Sequence, residues 1–272
     1  MKTGPASHPK LAVREASKVY RTASGDLVAL DRCSIDIQAN QIVSIVGPSG
    51  CGKTTLLWSM SGLHRLSSGE IRLDGKVITG PHPDIGLVFQ EANLLPWRNL
   101  DANIAFPFEI KSTRPDRAWI DHLLQRVGLA GFGGKFPREL SGGMQQRASI
   151  VRALSLKPSV LLMDEPFGAL DSFTREEMNR LVEEIWLDRP TTIVFITHSI
   201  EEAIFLSDRV IVMSARPGRV AKEYEVLFAR PRSLEIMATK EVFDLQNAIK
   251  LDIVGGRTSQ KQAPLRSAVA GS

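Results

Sequence analysis

Residues 47–55 read Gly47-Pro48-Ser49-Gly50-Cys51-Gly52-Lys53-Thr54-Thr55, a glycine, four free positions and then Gly-Lys-Thr. The chemistry open to that stretch is phosphate binding. Its glycines let the backbone fold back so that successive N–H groups converge on one anion. Lys53 supplies a point charge for outer phosphates, and Thr54 is placed to give its hydroxyl to Mg²⁺. A second stretch offers the complementary chemistry: Val160-Leu161-Leu162-Met163 is an apolar run ending in Asp164-Glu165. An apolar strand that delivers an acid beside a phosphate loop can hold Mg²⁺ through Asp164. Glu165 points the other way along the strand and can reach a water in line with a terminal phosphate. His198 follows a third apolar run, residues 191–196. A lone histidine there is commonly a loop or cap residue, but the end of a parallel strand is also where ligands sit in open α/β sheets. Finally, Ser141 is a natural N-cap for a helix opened by Gly142 and Gly143. Two glycines in a first helical turn cost about 1 kcal/mol each relative to alanine. That cost suits a backbone which something, best of all a phosphate, must approach closely.

These groups need elements to hold them. Ile42-Val43-Ser44-Ile45-Val46 reads as a buried strand feeding the glycine loop, and a helix follows over residues 54–63 with Leu56, Leu57 and Met60 on one face. The N-terminal part, residues 11–45, reads as antiparallel strands, and residues 69–78 as a hairpin about Asp74-Gly75. Tyr20, near the end of the first strand, serves either as a stacking platform for a base or as ordinary strand packing. Residues 85–89 form another buried strand, ending at Gln90. From Glu91 to Pro158 helices and loops dominate, including the stripe Trp119, Ile120, Leu123, Leu124 and Val127. Leu94-Leu95-Pro96-Trp97 is an apolar cluster within a loop, either folded under the domain or offered to a partner. Beyond Pro231 a terminal helix is expected to residue 254. Residues 1–10 are expected to be flexible and residues 255–272 disordered.

Composition sets the outer limits. The 272 residues are 43% hydrophobic and 24% charged, an ordinary globular balance. A net charge of +4 suits an ATP-binding protein beside an anionic membrane or a weak nucleic-acid binder, and does not decide between them. Two cysteines, Cys33 and Cys51, make no disulfide framework, and no Cys/His spacing fits a metal cluster. Residues 1–10 lack the apolar core of a secretory signal. The longest apolar runs fall far short of the roughly 18 residues that span a bilayer.

Taken in order, six motifs make the chain resemble the nucleotide-binding subunit of an ABC transporter over residues 11–226. Residues 47–55 look like the Walker A loop, Gln90 like the Q-loop glutamine, and residues 140–146 like the signature. Residues 160–165 look like Walker B, Ala169-Leu170-Asp171 like the D-loop, and His198 like the switch histidine. The signature reads LSGGMQQ, with Met144 where the commonest form has glutamine. The resemblance implies an α/β P-loop NTPase core with a parallel sheet, an antiparallel β subdomain and an inserted helical subdomain at about 91–157, all within 11–230. It implies that Tyr20 stacks on the adenine of ATP and that residues 47–55 hold the phosphates. Thr54, Gln90 and Asp164 would surround Mg²⁺, Glu165 would polarise the attacking water, and His198 would contact the terminal phosphate. Ser141, Gly142, Gly143 and Asp171 would act across a head-to-tail dimer, closing over ATP on the second ATPase subunit.

A separate transmembrane permease and, indirectly, a substrate-binding protein would complete the machine at the cytoplasmic face of the cell membrane. Leu94, Leu95 and Trp97 would line the groove for a short permease helix, unless they are subdomain core. The segments 88–97 and 212–218 resemble those of importers of nitrate, aliphatic sulfonates and taurine, and are shared by importers of thiamine precursors. An ABC-type ATPase serving nucleic acid or translation is the rival. Such proteins carry two cassettes or a long coiled coil, and neither occurs here, so no nucleic-acid partner is expected.

Overall fold

The computed structural model describes residues 8–23, 25–168 and 170–261, with side chains described as far as residue 255. β1 (Leu11–Thr22) and β2 (Gly25–Ile37) pair antiparallel, and β2 alternates buried and exposed residues toward its end at Ile37. β3 (Ile42–Val46) is buried at every position, leaves that sheet and feeds α1 (Lys53–Met60). β4 (Ser68–Leu73) and β5 (Lys76–Val77) turn about Asp74-Gly75 and rejoin the first sheet, in order β2-β1-β4-β5. The antiparallel reading of residues 11–45 therefore holds for β1 and β2 but not for β3. Five uniformly apolar or small residues without alternation suit a strand covered on both faces.

The second sheet carries the chemistry. Its remaining strands are β6 (Ile85–Val88), β7 (Val160–Asp164), β8 (Thr192–Ile196), β9 (Arg209–Met213) and β10 (Val220–Glu225), in order β10-β9-β3-β8-β7-β6. Strands β9, β3, β8, β7 and β6 run parallel, so their carboxyl ends share one edge. Only β10 is antiparallel. Between β6 and β7 come α2 (Leu100–Lys111), α3 (Arg117–Arg126) and α4 (Gly142–Ser155). α5 (Ser172–Asp188) and α6 (Ile200–Leu206) flank β8 in sequence. One core cluster packs the first sheet and α1 against one face of the parallel sheet, and a second packs α2 to α5 against the other.

The C-terminal region departs from expectation. Where one helix was read to residue 254, α7 (Leu234–Met237) and α8 (Lys240–Lys261) are separate. The chain turns at Thr239, whose hydroxyl bonds the Ile236 carbonyl at 2.8 Å while its own carbonyl receives the Phe243 N–H at 3.1 Å. α8 also runs past Gly255 into the stretch assigned to disorder. Two glycines cost about 1 kcal/mol each, but elongating a helix already anchored by buried Val242 and Ile249 needs no new nucleus. Residues 1–7 and 262–272 lie outside the described residues.

Candidate nucleotide site

Four of the five parallel strands lead from their carboxyl ends, the edge where open α/β sheets bind ligands, to residues singled out from sequence. β3 leads into the glycine loop, β7 ends in Asp164 with Glu165 next, β8 leads to His198, and β6 leads to Gln90. Tyr20, Ser49, Gly50, Gly52, Lys53, Thr54, Thr55, Glu165 and His198 line one open cleft of about 250 Å³. Leu27, Ala29 and Arg216 complete the lining.

Lys53 is 4% exposed, and its ammonium donates to the Gly47 and Pro48 carbonyls, both at 3.0 Å. Cys51 is buried within the loop, and burial pushes its thiol up, which makes it a packing group rather than a nucleophile. The Thr54 hydroxyl donates to Asp164 Oδ1 at 3.2 Å. Asp164 is 6% exposed. Burial raises its carboxyl, the Thr54 hydroxyl counteracts this, and the charge of Glu165 raises it further. A buried carboxylate with hydroxyl oxygen beside it is a hard-oxygen donor set short of positive charge, which fits Mg²⁺.

Glu165 adopts a left-handed backbone, φ 46°, unusual outside glycine. Its N–H bonds the Ile196 carbonyl at 3.0 Å and its carbonyl receives the Gly168 N–H at 3.1 Å. These bonds hold the side chain toward His198, whose Nε2 lies 2.7 Å from Glu165 Oε1. With the carboxylate accepting, Nε2 carries the proton. Tyr20 forms the wall of the cleft with its hydroxyl 3.0 Å from His64 Nδ1 and 3.4 Å from Thr55 Oγ1. Sequence reasoning missed His64, which lies 44 residues away and carries no local signal. It also missed Arg216 as a site residue, although its place after a strand parallel to β3 was a usable clue.

Other residues singled out from sequence stand apart from this cleft. Gln90 is exposed beside the turn after Glu165, where a Cβ on Gly168 would come 3.9 Å from its Nε2. Ser141 caps α4 by accepting the Met144 N–H at 3.3 Å, and Asp171 caps α5 by accepting from Phe173 and Thr174, both at 3.1 Å. The two helix starts are neighbours, since a Cβ on Gly143 would sit 3.3 Å from Thr174 Cγ2. A Cβ on Gly142 would meet no atom within 4 Å. None of Ser141, Gly142, Gly143 or Asp171 lines the cleft. The glycine cost at the start of α4 therefore serves no packing need evident at Gly142.

The loop after Gln90 is also ordered. Asn103, fully buried, donates to the Leu95, Arg98 and Asn99 carbonyls at 2.9 to 3.1 Å and accepts the Leu95 N–H at 2.7 Å. Leu94 packs on the core, whereas Trp97 is 72% exposed. The core reading of Trp97 is thereby excluded.

A polyanion accompanied by a cation satisfies Lys53, Thr54 and the buried Asp164 together, and the Glu165 carboxylate opposite them suits a water. Fold and cleft define a P-loop nucleoside triphosphatase. The ABC transporter family model matches residues 30–168, just over half of the chain, and the chain belongs to that family. It is 47% identical over 222 residues to the taurine import ATP-binding protein TauB of Roseobacter denitrificans, covering 80% of this chain and 83% of the relative. It is 40% identical over 232 residues to the aliphatic sulfonates import ATP-binding protein SsuB of Bacillus cereus, covering 85% and 92%. Among solved structures it resembles the dimeric post-hydrolysis state of the ATP-binding cassette MJ0796 bound to ADP and Pi. That match has a TM-score of 0.71 and 30% identity, over 80% of this chain and all of that one. The chain is an ATP-binding, ATP-hydrolysing member of the family.

Proposed function

We propose that this chain powers an ABC importer of a small molecule that carries an anionic group (taurine, an aliphatic sulfonate) or of nitrate, by closing and opening as a head-to-tail homodimer around ATP. The names of the relatives support an importer and favour sulfonates over thiamine precursors and over a role on nucleic acid. No described helix is long and apolar enough to cross a membrane, so transmembrane passage falls to separate permease subunits, fed by a binding protein. The chain would work at the cytoplasmic face of the cell membrane.

In this reading Tyr20 stacks on adenine, while Lys53 and the backbone N–H groups of residues 49–55 hold the phosphates. Thr54, Asp164 and Gln90 would hold Mg²⁺, which when bound neutralises charge on the phosphate oxygens. Glu165 orients the attacking water and draws its proton, and His198, fixed by Glu165, contacts the terminal phosphate. Ser141, Gly142 and Gly143 of a second copy cover the far side of that phosphate with helix-start N–H groups and exclude water, with Asp171 at the same boundary. Exposed Trp97, with Leu95 beside it, receives the permease, while Leu94 anchors the loop to the core.

One observation carries the dimer: α4 opens on exposed Ser141 and Gly142, where a Cβ at Gly142 has open space, while the cleft of the same chain lacks them. Specific ATPase activity of the purified chain should rise with protein concentration before reaching a plateau. Specific activity that stays constant on dilution to nanomolar chain would refute the shared site.

A further inference from the structure

β9 ends at Met213 beside β3, and the chain then turns through Ser214-Ala215-Arg216-Pro217-Gly218-Arg219. That turn meets the phosphate loop at three points. The Arg216 guanidinium donates to the Gly50 carbonyl through Nε at 3.2 Å and Nη2 at 3.1 Å. A Cβ on Gly218 would lie 2.0 Å from the Cys51 carbonyl oxygen, so backbone passes against backbone and no larger residue fits. At the third point, a Cβ on Gly47 would lie 2.8 Å from the Met213 carbonyl oxygen.

The turn is itself braced. The Ser214 hydroxyl donates to the Pro217 carbonyl and accepts the Arg219 N–H, both at 3.1 Å. Gly218 bonds β2 on both sides, donating to the Ala29 carbonyl at 3.0 Å and accepting the Asp31 N–H at 2.9 Å. Arg219 pairs with Asp31 through Nε at 2.9 Å. The brace therefore spans β9, β2 and the phosphate loop.

A loop that converges its amides on an anion turns carbonyls outward, and those carbonyls need donors of their own. Lys53 serves Gly47 and Pro48, and Arg216 serves Gly50, which holds a left-handed φ of 72°. Arg216 also lines the cleft. We infer that Arg216 is a positioning residue that grips the Gly50 carbonyl, keeps the phosphate loop in its anion-binding form, and sets affinity for nucleotide phosphates. The inference rests on reading the cleft as an ATP site.

Arg216→Ala and Arg216→Lys test it, with thermal melting, steady-state ATPase kinetics and calorimetric titration of ATP and ADP. Arg216→Ala is expected to raise KM for ATP about fivefold, the scale of one partly exposed charge-assisted bond, and to weaken ADP by a similar factor. kcat should change by less than about twofold, the signature of binding shared by ground and transition states. Arg216→Lys keeps the charge but cannot form the fork, so it should recover less than half of the loss. Unchanged KM in the alanine variant, or full recovery with lysine, would overturn the inference; the latter would leave charge alone as the cause. Should the alanine variant fail to fold, Arg216→Gln is measured against the same criteria. A wild-type chain that binds no ATP in the same titration would instead remove the ATP reading of the cleft.

Discussion

Gly142→Ala should make the isolated chain more stable and the ATPase worse. Gly142 is the first residue of α4 after the Ser141 cap, and its backbone is not in the left-handed region. Replacing glycine by alanine at a compatible helical position stabilises by about 0.5–1 kcal/mol, partly by restricting the unfolded chain. The added Cβ meets no atom within 4 Å, so no steric cost opposes that gain. For a domain of this size the gain corresponds to a rise in Tm of about 1–4 °C. In the closed dimer the same methyl group would stand where the second copy's phosphate must approach the backbone. Loss of one well-placed donor to a developing anion costs on the order of 10² in rate, so ATPase activity should fall at least tenfold.

Gly143→Ala is the control. There the Cβ would lie 3.3 Å from Thr174 Cγ2, so stability should stay near wild type or fall. The assay pairs differential scanning calorimetry of the nucleotide-free chain with phosphate release at saturating ATP. Opposite signs for Tm and rate in Gly142→Ala support a face built for another molecule. A stabilised variant with wild-type turnover would refute the reasoning, because nothing would then need to come near Gly142.

Glu165→Gln keeps the backbone bonds to Ile196 and Gly168, and its amide oxygen can still accept from His198, so melting should shift little. Turnover should fall about 100-fold or more as a general base is lost, with ATP-bound dimer accumulating on a sizing column; turnover within fivefold of wild type would place water activation elsewhere. Trp97→Ala removes an exposed side chain from a loop held by Asn103, so soluble ATPase should be unchanged while reconstituted transport falls at least tenfold. Full transport in that variant would exclude Trp97 from the permease contact. Arg232→Ala should lower Tm by about 5–15 °C, because 4%-exposed Arg232 bonds the Ile204, Phe205 and Ser207 carbonyls at the end of α6 at 2.7, 2.7 and 2.8 Å. Unchanged melting would mean that water satisfies those carbonyls.

The elements that the structure shares with the sequence reading were those whose signal is local. Glycine spacing before Lys53, an apolar run before Asp164 and Ser141 ahead of a helix each lie within one turn or strand. Position after a strand end then brought β3, β7 and β8 groups together once the strands proved parallel. Long-range pairing was illegible. Arg216 reaches Gly50 across 166 residues and Tyr20 reaches His64 across 44, and neither pair shares a pattern. Trp97 was ambiguous because an apolar tetrapeptide in a loop reads equally as core or contact. Asn103 decided it by fixing the loop with side-chain bonds that sequence does not announce. The break at Thr239 was illegible because no glycine or proline marks it between Leu234 and Phe243.

α4 ties the separated parts into one mechanical unit. Its start carries Ser141 and Gly142, where the second copy is proposed to engage. One turn later buried Gln146 donates to the Phe89 carbonyl at 3.2 Å, next to Gln90. Nearly three turns from the start Arg152 donates to the Ala92 and Asn93 carbonyls at 2.9 and 2.8 Å, at the root of the loop that presents Trp97. A helix is stiff along its axis, so displacement of its first turn by a closing partner carries the other two contacts with it. The exposed tryptophan would then move as the glycines at the far end of the same helix are gripped or released.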